Sequence, residues 1–344
     1  MSSRRKFIGQ ISTIGVMAGL PGIFIPSQNK TDKKIWACHL HLSFNFAAGR
    51  SNKQSRIFET DESVWDAAIE RMAMQGVNMV VINLDDAVLW DSHPEIAIQK
   101  SWSPEYLRKK LAEIRKLGIE PVPLLNFSST HDAWLGEYSR MLSTKKYYEV
   151  CKDLISEAID IFEKPRFFHL GMDEETYKHQ SKKSHPFDYI VLRQNDLWWN
   201  DLYFYIDVVT EKGVRPWVWS DYQWNNPDLF YKKMPKSVVQ SNWYYSPKFN
   251  LETVTDGQRK QINAYSDLNR EGYDQIPTAS FHTNDRPKSI GNTVKYCSEH
   301  IDDNHLMGFM QTFWMPTVEQ NRERILKGID LIGEARTNYI NGTF

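Results

Sequence analysis

The chain has 344 residues, of which 41% are hydrophobic and 25% are charged, and its formal net charge is −1. These proportions are typical of a globular protein with a sizeable core and argue against a disordered chain. A nearly neutral chain also lacks the basic footprint of a nucleic-acid-binding protein, so we expect no nucleic-acid partner. Aromatic residues are abundant at 13%, with 12 Trp and 16 Tyr, and they supply flat apolar faces with a polar edge.

The first thirty residues have the composition of a targeting segment. The letters S-R-R-K-F-I at 3–8 precede an apolar, glycine-containing run from Ile11 to Ile25. This pattern resembles a twin-arginine export signal, and the run is short for a membrane span. We predict a signal at 1–30, a periplasmic or otherwise exported mature protein, and no membrane span in that protein. The alternative is a basic start before a buried helix.

The three cysteines, Cys38, Cys151 and Cys297, show no C-x-x-C spacing. Their odd number and their distribution predict neither a disulfide framework nor a cysteine metal site. We expect them to be small buried residues.

From residue 34 onward, short apolar runs alternate with longer helical patterns, which predicts a parallel sheet with helical crossovers. The predicted strands are Ile35–Leu42, Val77–Leu84, Ile119–Asn126, Arg166–Gly171, Val214–Ser220, Ser237–Trp243, Gln275–Phe281 and Leu306–Phe313. Eight such units predict an α/β fold of the (β/α)₈ (TIM) barrel type, formed as a single domain by 31–344. An open doubly wound sheet is the alternative, but no G-x-G-x-x-G follows the first strand.

The predicted helices are Glu62–Gln75, Pro104–Leu117, Lys145–Phe162, Arg193–Lys212, Ile290–His300 and Glu319–Arg336. Ser103 before Pro104 is a typical helix start, and Gly118 and Gly213 end helices directly before strands. The stretch 225–270 contains several prolines and aromatic clusters, and its units cannot be delimited from the sequence.

Polar and aromatic residues follow the predicted strands, at the rim where barrel enzymes place their chemistry. The sharpest segment is 167–175, which ends the fourth strand and contains Asp173 and Glu174. Adjacent acids suit substrate-assisted glycoside cleavage, in which one carboxylate orients the sugar's 2-acetamido group while its neighbour protonates the leaving oxygen. Apolar surroundings would drive the pKa values of two crowded acids apart. Alternatively, the two acids merely complement the dipole of a following helix.

The string His169-Leu170-Gly171-Met172-Asp173-Glu174 resembles the H-x-G-G-D-E signature of glycoside hydrolase family 20, the β-N-acetylhexosaminidases. The stretch 83–94, with Asp85, Asp86 and Trp90, and the stretch 119–131, ending in His131, also resemble that family. Three tryptophans fall where the family places the walls of its sugar pocket: Trp219, Trp243 and Trp314.

The resemblance implies that Glu174 is the general acid and that Asp173 orients the acetamido group, with Asp86 and His131 in support. It further implies a carbohydrate substrate, an exo-acting retaining mechanism and no cofactor. The candidate substrate-binding residues are His39, Asp86, His131, His169, Trp219, Trp243, Tyr244 and Trp314.

The chain also departs from the family pattern. His39 and His41 stand where the family has a sugar-binding Arg, Met315 replaces a Glu after the last tryptophan, and Met172 replaces the second glycine. The tyrosine that bonds the acetamido oxygen has no clear match, although Tyr244 or Tyr245 could serve. We therefore expect a divergent relative, and these departures leave the identity of its sugar open.

Two other functions fit parts of this pattern. His39 and His41 form the H-x-H with which metal-dependent amidohydrolases begin their site, but the later strands lack the remaining ligands. A non-catalytic glycan-binding barrel would retain the tryptophan faces, yet it would not need two buried acids, which are costly to desolvate.

Overall fold

The structure is a computed structural model that describes residues 34–44, 58–181, 191–283 and 286–344. The predicted signal at 1–30 lies outside the described residues and stays a prediction. Within the described residues, no helix is both long and apolar enough to cross a bilayer.

Eight parallel strands form one nearly closed sheet, which confirms the predicted (β/α)₈ barrel. The strands are β1 Ile35–His41, β2 Met79–Asn83, β3 Glu120–Leu124, β4 Phe167–His169, β5 Arg215–Trp219, β6 Val239–Ser241, β7 Thr278–Ser280 and β8 Gly308–Thr312. Their order is β6-β5-β4-β3-β2-β1-β8-β7, and single bridges from Gln240 to Gln275 and from Trp243 to Thr278 connect β6 with the β7 segment. Each observed strand lies inside its predicted range, because the predicted ranges included the apolar residues that lead into and out of the ladder.

Helices connect the strands around the barrel. They are α1 Glu62–Met74, α2 Pro104–Lys116, α3 Lys145–Ile161, α4 Tyr177–Ser181, α5 Asn195–Glu211, α6 Pro227–Lys233, α7 Asp256–Arg270, α8 Ser289–His300 and α9 Arg322–Asn341. The six predicted helices are present with shifts at their ends. The stretch 225–270, which could not be divided from the sequence, contains α6 and α7, and α7 begins with a capping box between Thr255 and Gln258.

Strand side chains alternate between two cores. On β1, Ala37 faces the barrel interior, whereas Trp36 and Cys38 pack in the larger core between strands and helices. His39 and His41 share the parity of Ala37 and therefore point inward above it. All three cysteines are free and buried, as expected. The alternation thus directs every second residue near the ends of the strands toward the axis of the barrel.

Candidate active site

A cavity of about 500 Å³ opens at the carboxyl ends of the strands. Its lining residues come from the strand ends and the loops that follow them: His39, His41, Phe44, Asn83, Leu124, Asn126, His131, Asp173, Glu174, Trp219, Trp243, Tyr244, Tyr245, Ser246, Gln258, Gln261, His282, Arg286 and Trp314. Both predicted catalytic carboxylates line this cavity, as do six of the predicted substrate-binding residues: His39, His131, Trp219, Trp243, Tyr244 and Trp314.

A sharp turn after β4 aims the two carboxylates into the cavity. Gly171, Met172 and Glu174 all have positive φ values, of 71°, 73° and 56°. The backbone N–H of Gly171 donates to Nδ1 of His169 at 3.0 Å, and the N–H of Met172 donates to Oδ1 of Asn126 at 3.2 Å. These bonds support a conformation that residues other than glycine seldom adopt. Strained backbone of this kind is concentrated at functional sites.

Asp173 is buried in a setting that keeps it ionised. Nδ2 of Asn126 donates to its Oδ1 at 2.9 Å, and Nε2 of His131 lies 3.3 Å from its Oδ2. Burial raises the pKa of Asp173, but the nearby His131 and the hydrogen bonds from His131 and Asn126 outweigh burial and leave the pKa below its usual value. Asp173 is therefore a carboxylate at neutral pH.

Glu174 is more open to the cavity than its neighbour. About 31% of its side chain is exposed, against 11% for Asp173, and its Oε2 lies 3.5 Å from Nε2 of His131. The imidazole of His131 thus bridges the two carboxyl groups. The backbone N–H of Glu174 donates to Oδ2 of Asp221 at 2.8 Å.

A buried ionic network involves Glu175, the residue that directly follows the two carboxylates. Glu175 accepts from the backbone N–H and the hydroxyl of Ser129, both at 2.7 Å, and pairs closely with Arg193. Arg193 is fully buried and also contacts Asp201 on α5 at 3.1 Å. Because removal of one partner would leave a buried charge uncompensated, loss of any one of these charged groups is expected to destabilise this region.

Four aromatic side chains form one wall of the cavity. The rings of Trp243 and Tyr245 stack with centroids 5.1 Å apart, and Trp219 and Trp314 meet at 5.7 Å. Nε1 of Trp314 donates to the hydroxyl oxygen of Tyr245 at 2.9 Å. That bond uses a lone pair of Tyr245 and leaves its hydroxyl hydrogen to donate.

Of the two candidate tyrosines, Tyr245 is placed to offer its hydroxyl. The hydroxyl of Tyr244 donates to the carbonyl oxygen of Lys248 at 2.6 Å and is thereby occupied. Burial raises the pKa of Tyr245 well above its usual value, and the charges of Asp173, Glu174 and Asp221 add to that rise. Tyr245 is therefore a neutral hydrogen-bond donor beside the carboxyl groups.

The end of β1 supplies uncharged imidazoles to the cavity. Burial and the neighbouring His41 and His169 lower the pKa of His39 well below its usual value, and burial lowers that of His41 to about 3 although Ser43 opposes this. Neither ring nitrogen of His39 has a hydrogen-bond partner among the described residues. The described part of the chain contains no group of three or more His, Cys, Asp or Glu residues arranged to hold a metal ion.

Two predicted substrate-binding residues, His169 and Asp86, lie outside the cavity lining. His169 is buried beneath it, with its ring 4.4 Å from that of Trp219, and burial lowers its pKa to about 3. Asp86 lies in a short 3₁₀ helix after β2 and accepts from the hydroxyl of Ser43 at 2.5 Å. Burial raises the pKa of its neighbour Asp85 well above the usual value, and Asn83, which donates to Oδ2 of Asp85 at 2.7 Å, opposes that rise.

Sequence reasoning did not assign a role to Asn126, the last residue of the predicted third strand, or to Asp221, which directly follows the predicted fifth strand. Asn126 orients Asp173 and supports the turn, and Asp221 accepts from Glu174. Their positions at the carboxyl ends of predicted strands were a visible signal, but their partners depend on loop conformations that periodicity does not define.

Replacing Gly171 with Ala is expected to damage the site itself. A Cβ there would lie 1.9 Å from Oδ1 of Asn126 and 2.8 Å from its Cα, in addition to the strain of φ +71°. Gly118 is a matched control, since its φ is +77° and no atom would lie within 4 Å of its Cβ. Gly118→Ala should lose only the roughly 1–2 kcal/mol of folding stability that a side chain costs in the left-handed region. We expect Gly171→Ala to be less stable than Gly118→Ala in urea unfolding and to be the only one of the two with impaired turnover. Equal unfolding midpoints and normal turnover in both would contradict this role for Gly171.

Comparisons with known proteins agree with this architecture. No family model and no curated protein matches the chain. Among solved structures, a family 20 exo-β-N-acetylglucosaminidase from Vibrio harveyi with N-acetylglucosamine aligns at a TM-score of 0.59 and 13% identity over 90% of this chain. A Streptomyces plicatus β-hexosaminidase variant with bound product aligns at a TM-score of 0.60 and 14% identity over 88% of this chain. A Bacteroides fragilis β-N-acetylhexosaminidase aligns at a TM-score of 0.56 and 16% identity over 87% of this chain.

These likenesses establish a shared barrel fold. The chain spans 57% of the Vibrio protein, 64% of the Streptomyces protein and 66% of the Bacteroides protein. Its structural neighbours are thus longer family 20 enzymes of low sequence identity.

Proposed function

We propose that the protein is a glycoside hydrolase that removes a terminal 2-acetamido sugar by retaining, substrate-assisted catalysis. The observation that carries this proposal is the pair Asp173 and Glu174, joined by His131 in a cavity with an aromatic wall. One acid is held ionised while the other faces the open space. Such a division suits one acid that orients and one that transfers a proton.

The aromatic wall provides a binding surface for the sugar. Trp219, Trp243 and Trp314 present flat faces on which the apolar side of a pyranose packs. Tyr245 donates its hydroxyl hydrogen to the acetamido carbonyl oxygen. On the β1 side, His39 offers one ring donor and one ring acceptor to sugar hydroxyls, which would satisfy groups that are costly to bury alone.

In the first step, the carboxylate of Asp173 accepts a hydrogen bond from the acetamido N–H. The acetamido oxygen then attacks the anomeric carbon, and the bond between that carbon and the leaving oxygen breaks. Glu174 donates its proton to that oxygen, so the leaving group departs as a neutral alcohol. The positive charge that develops on the cyclised intermediate lies beside the ionised Asp173.

In the second step, Glu174 acts as a base. It removes a proton from a water molecule that attacks the anomeric carbon from the face the leaving group has vacated, and the ring of the intermediate opens to restore the acetamide. Two inversions at the same carbon leave its configuration unchanged. This scheme needs no nucleophile from the protein and no cofactor.

Hydrolysis of matched aryl β-glycosides tests this function. Purified mature protein should release the aryl alcohol from sugars with a 2-acetamido group and leave the corresponding 2-hydroxy sugars almost untouched, because only the former carry the internal nucleophile. Comparable turnover of both series would contradict substrate assistance. Glycan binding without any turnover would instead indicate a non-catalytic binding barrel.

A further inference from the structure

Asp221 is a third carboxyl group beside the proposed catalytic pair. It begins a short 3₁₀ helix directly after β5, and its side chain is buried. Its Oδ2 accepts the backbone N–H of Glu174 at 2.8 Å. The proposed mechanism assigns it no chemical step.

Glu174, whose N–H donates to Asp221, has an unusual backbone conformation. Glu174 has a φ of +56°, in the left-handed region that residues with a Cβ seldom occupy. Such a conformation persists only where the surroundings stabilise it. The Asp221 bond acts on the peptide that sets this φ, and it therefore controls where the Glu174 side chain points.

We propose that Asp221 is a positioning residue, which holds Glu174 in its left-handed conformation and so aims the proton-donating carboxyl group at the leaving oxygen. This inference rests on the proposed function for the identity of the proton donor. The hydrogen bond itself is independent of any activity.

The charge state of Asp221 suits this role. The titratable groups that face it are Asp173, Glu174 and Tyr245. Burial, followed by the charge of Asp173, raises the pKa of Asp221 to about 8. Its Oδ1 has no hydrogen-bond partner among the described residues. A neutral Asp221 accepts from Glu174 without adding a third negative charge to the cluster.

Two substitutions separate positioning from charge. Asp221→Asn retains an oxygen acceptor, whereas Asp221→Ala removes it. We expect the Ala variant to lose on the order of 10²-fold in kcat for substrates with poor leaving groups, with KM little changed, because small misplacements of a reacting group are costly. Activated aryl substrates, which need less proton transfer, should lose less. The Asn variant should stay close to wild type.

Hydrogen exchange measured by mass spectrometry tests the same bond without relying on activity. The amide of Glu174 should exchange faster in Asp221→Ala than in wild type or Asp221→Asn, while α3 peptides serve as the internal standard. Unchanged exchange would overturn the proposal, as would equal kinetic losses in both variants. If wild type turns over no glycoside, the hydrolase function fails and the exchange result alone decides whether Asp221 holds Glu174.

The pH dependence of stability gives a second check on the buried proton. A folded-state pKa raised from 3.8 to about 8 contributes stability that is complete below the lower value and is lost as pH rises through the higher one. The melting temperature of wild type should therefore fall relative to that of Asp221→Asn between about pH 4 and pH 8. A constant difference across this window would show that Asp221 carries no proton there.

Discussion

Replacing Glu174 with Gln is expected to reduce turnover of substrates with poor leaving groups by about 10²- to 10⁴-fold, the usual contribution of general acid catalysis. Gln has nearly the shape of Glu but cannot donate a carboxylic proton or act as a base. The Glu174 side chain faces the cavity, and its backbone bond to Asp221 does not require a charged side chain. The fold should therefore be preserved.

The identity of the leaving group provides the control for this prediction. The first step with a dinitrophenyl glycoside needs little protonation, so its rate should be much less affected than that of an alkyl or disaccharide substrate. A burst of product followed by slow turnover would show that the second step, in which we propose that Glu174 acts as base, has become limiting. Equal rates for wild type and Glu174→Gln across the leaving-group series would refute the role.

Replacing Asp173 with Asn is expected to lower kcat for 2-acetamido substrates by on the order of 10²- to 10³-fold, a typical loss for one preorganised electrostatic contact. Asn can still accept from Asn126, so the local bonds are largely preserved. It lacks the negative charge that, in the proposed mechanism, orients the acetamido N–H and stabilises the cyclised cation. KM should change less than kcat, because the charge acts chiefly on the transition state.

The preference between substrates separates this effect from general damage. In wild type the ratio of kcat/KM for 2-acetamido over 2-hydroxy sugars should be large, and Asp173→Asn should reduce it. A variant that loses both activities in the same proportion would show that Asp173 only maintains structure.

The barrel and the position of the acids could be predicted because both follow from local patterns. Each strand is an apolar run, and the side chains after it meet at one rim whatever the helices between them do. Glycines such as Gly118 indicated where helices end, because glycine readily adopts the left-handed conformation that follows a helix. The helix α7 was missed because its amphipathic pattern is polar and follows a proline-rich stretch.

The finer arrangement depends on loops whose conformation has no periodic signal. The short 3₁₀ helix after β2 gives two adjacent acids different partners, because Asp85 accepts from Asn83 and Asp86 accepts from Ser43. Tyr244 and Tyr245 likewise have different partners, because the Tyr244 hydroxyl donates to Lys248 whereas the Tyr245 hydroxyl accepts from Trp314. The hydrogen bond from Glu174 to Asp221 occurs with a positive φ at Glu174, and the residue types in this segment do not predict that φ.

The account is tested most directly by the hydrolysis rates of aryl 2-acetamido glycosides whose acetyl group carries zero, one, two or three fluorine atoms. Each fluorine weakens the carbonyl oxygen as a nucleophile while leaving the glycosidic bond and the leaving group unchanged. If the acetamido oxygen attacks the anomeric carbon beside Asp173, kcat/KM should fall steeply and progressively along the series. A flat series would contradict the account, because the nucleophile would then have to come from the protein or from water.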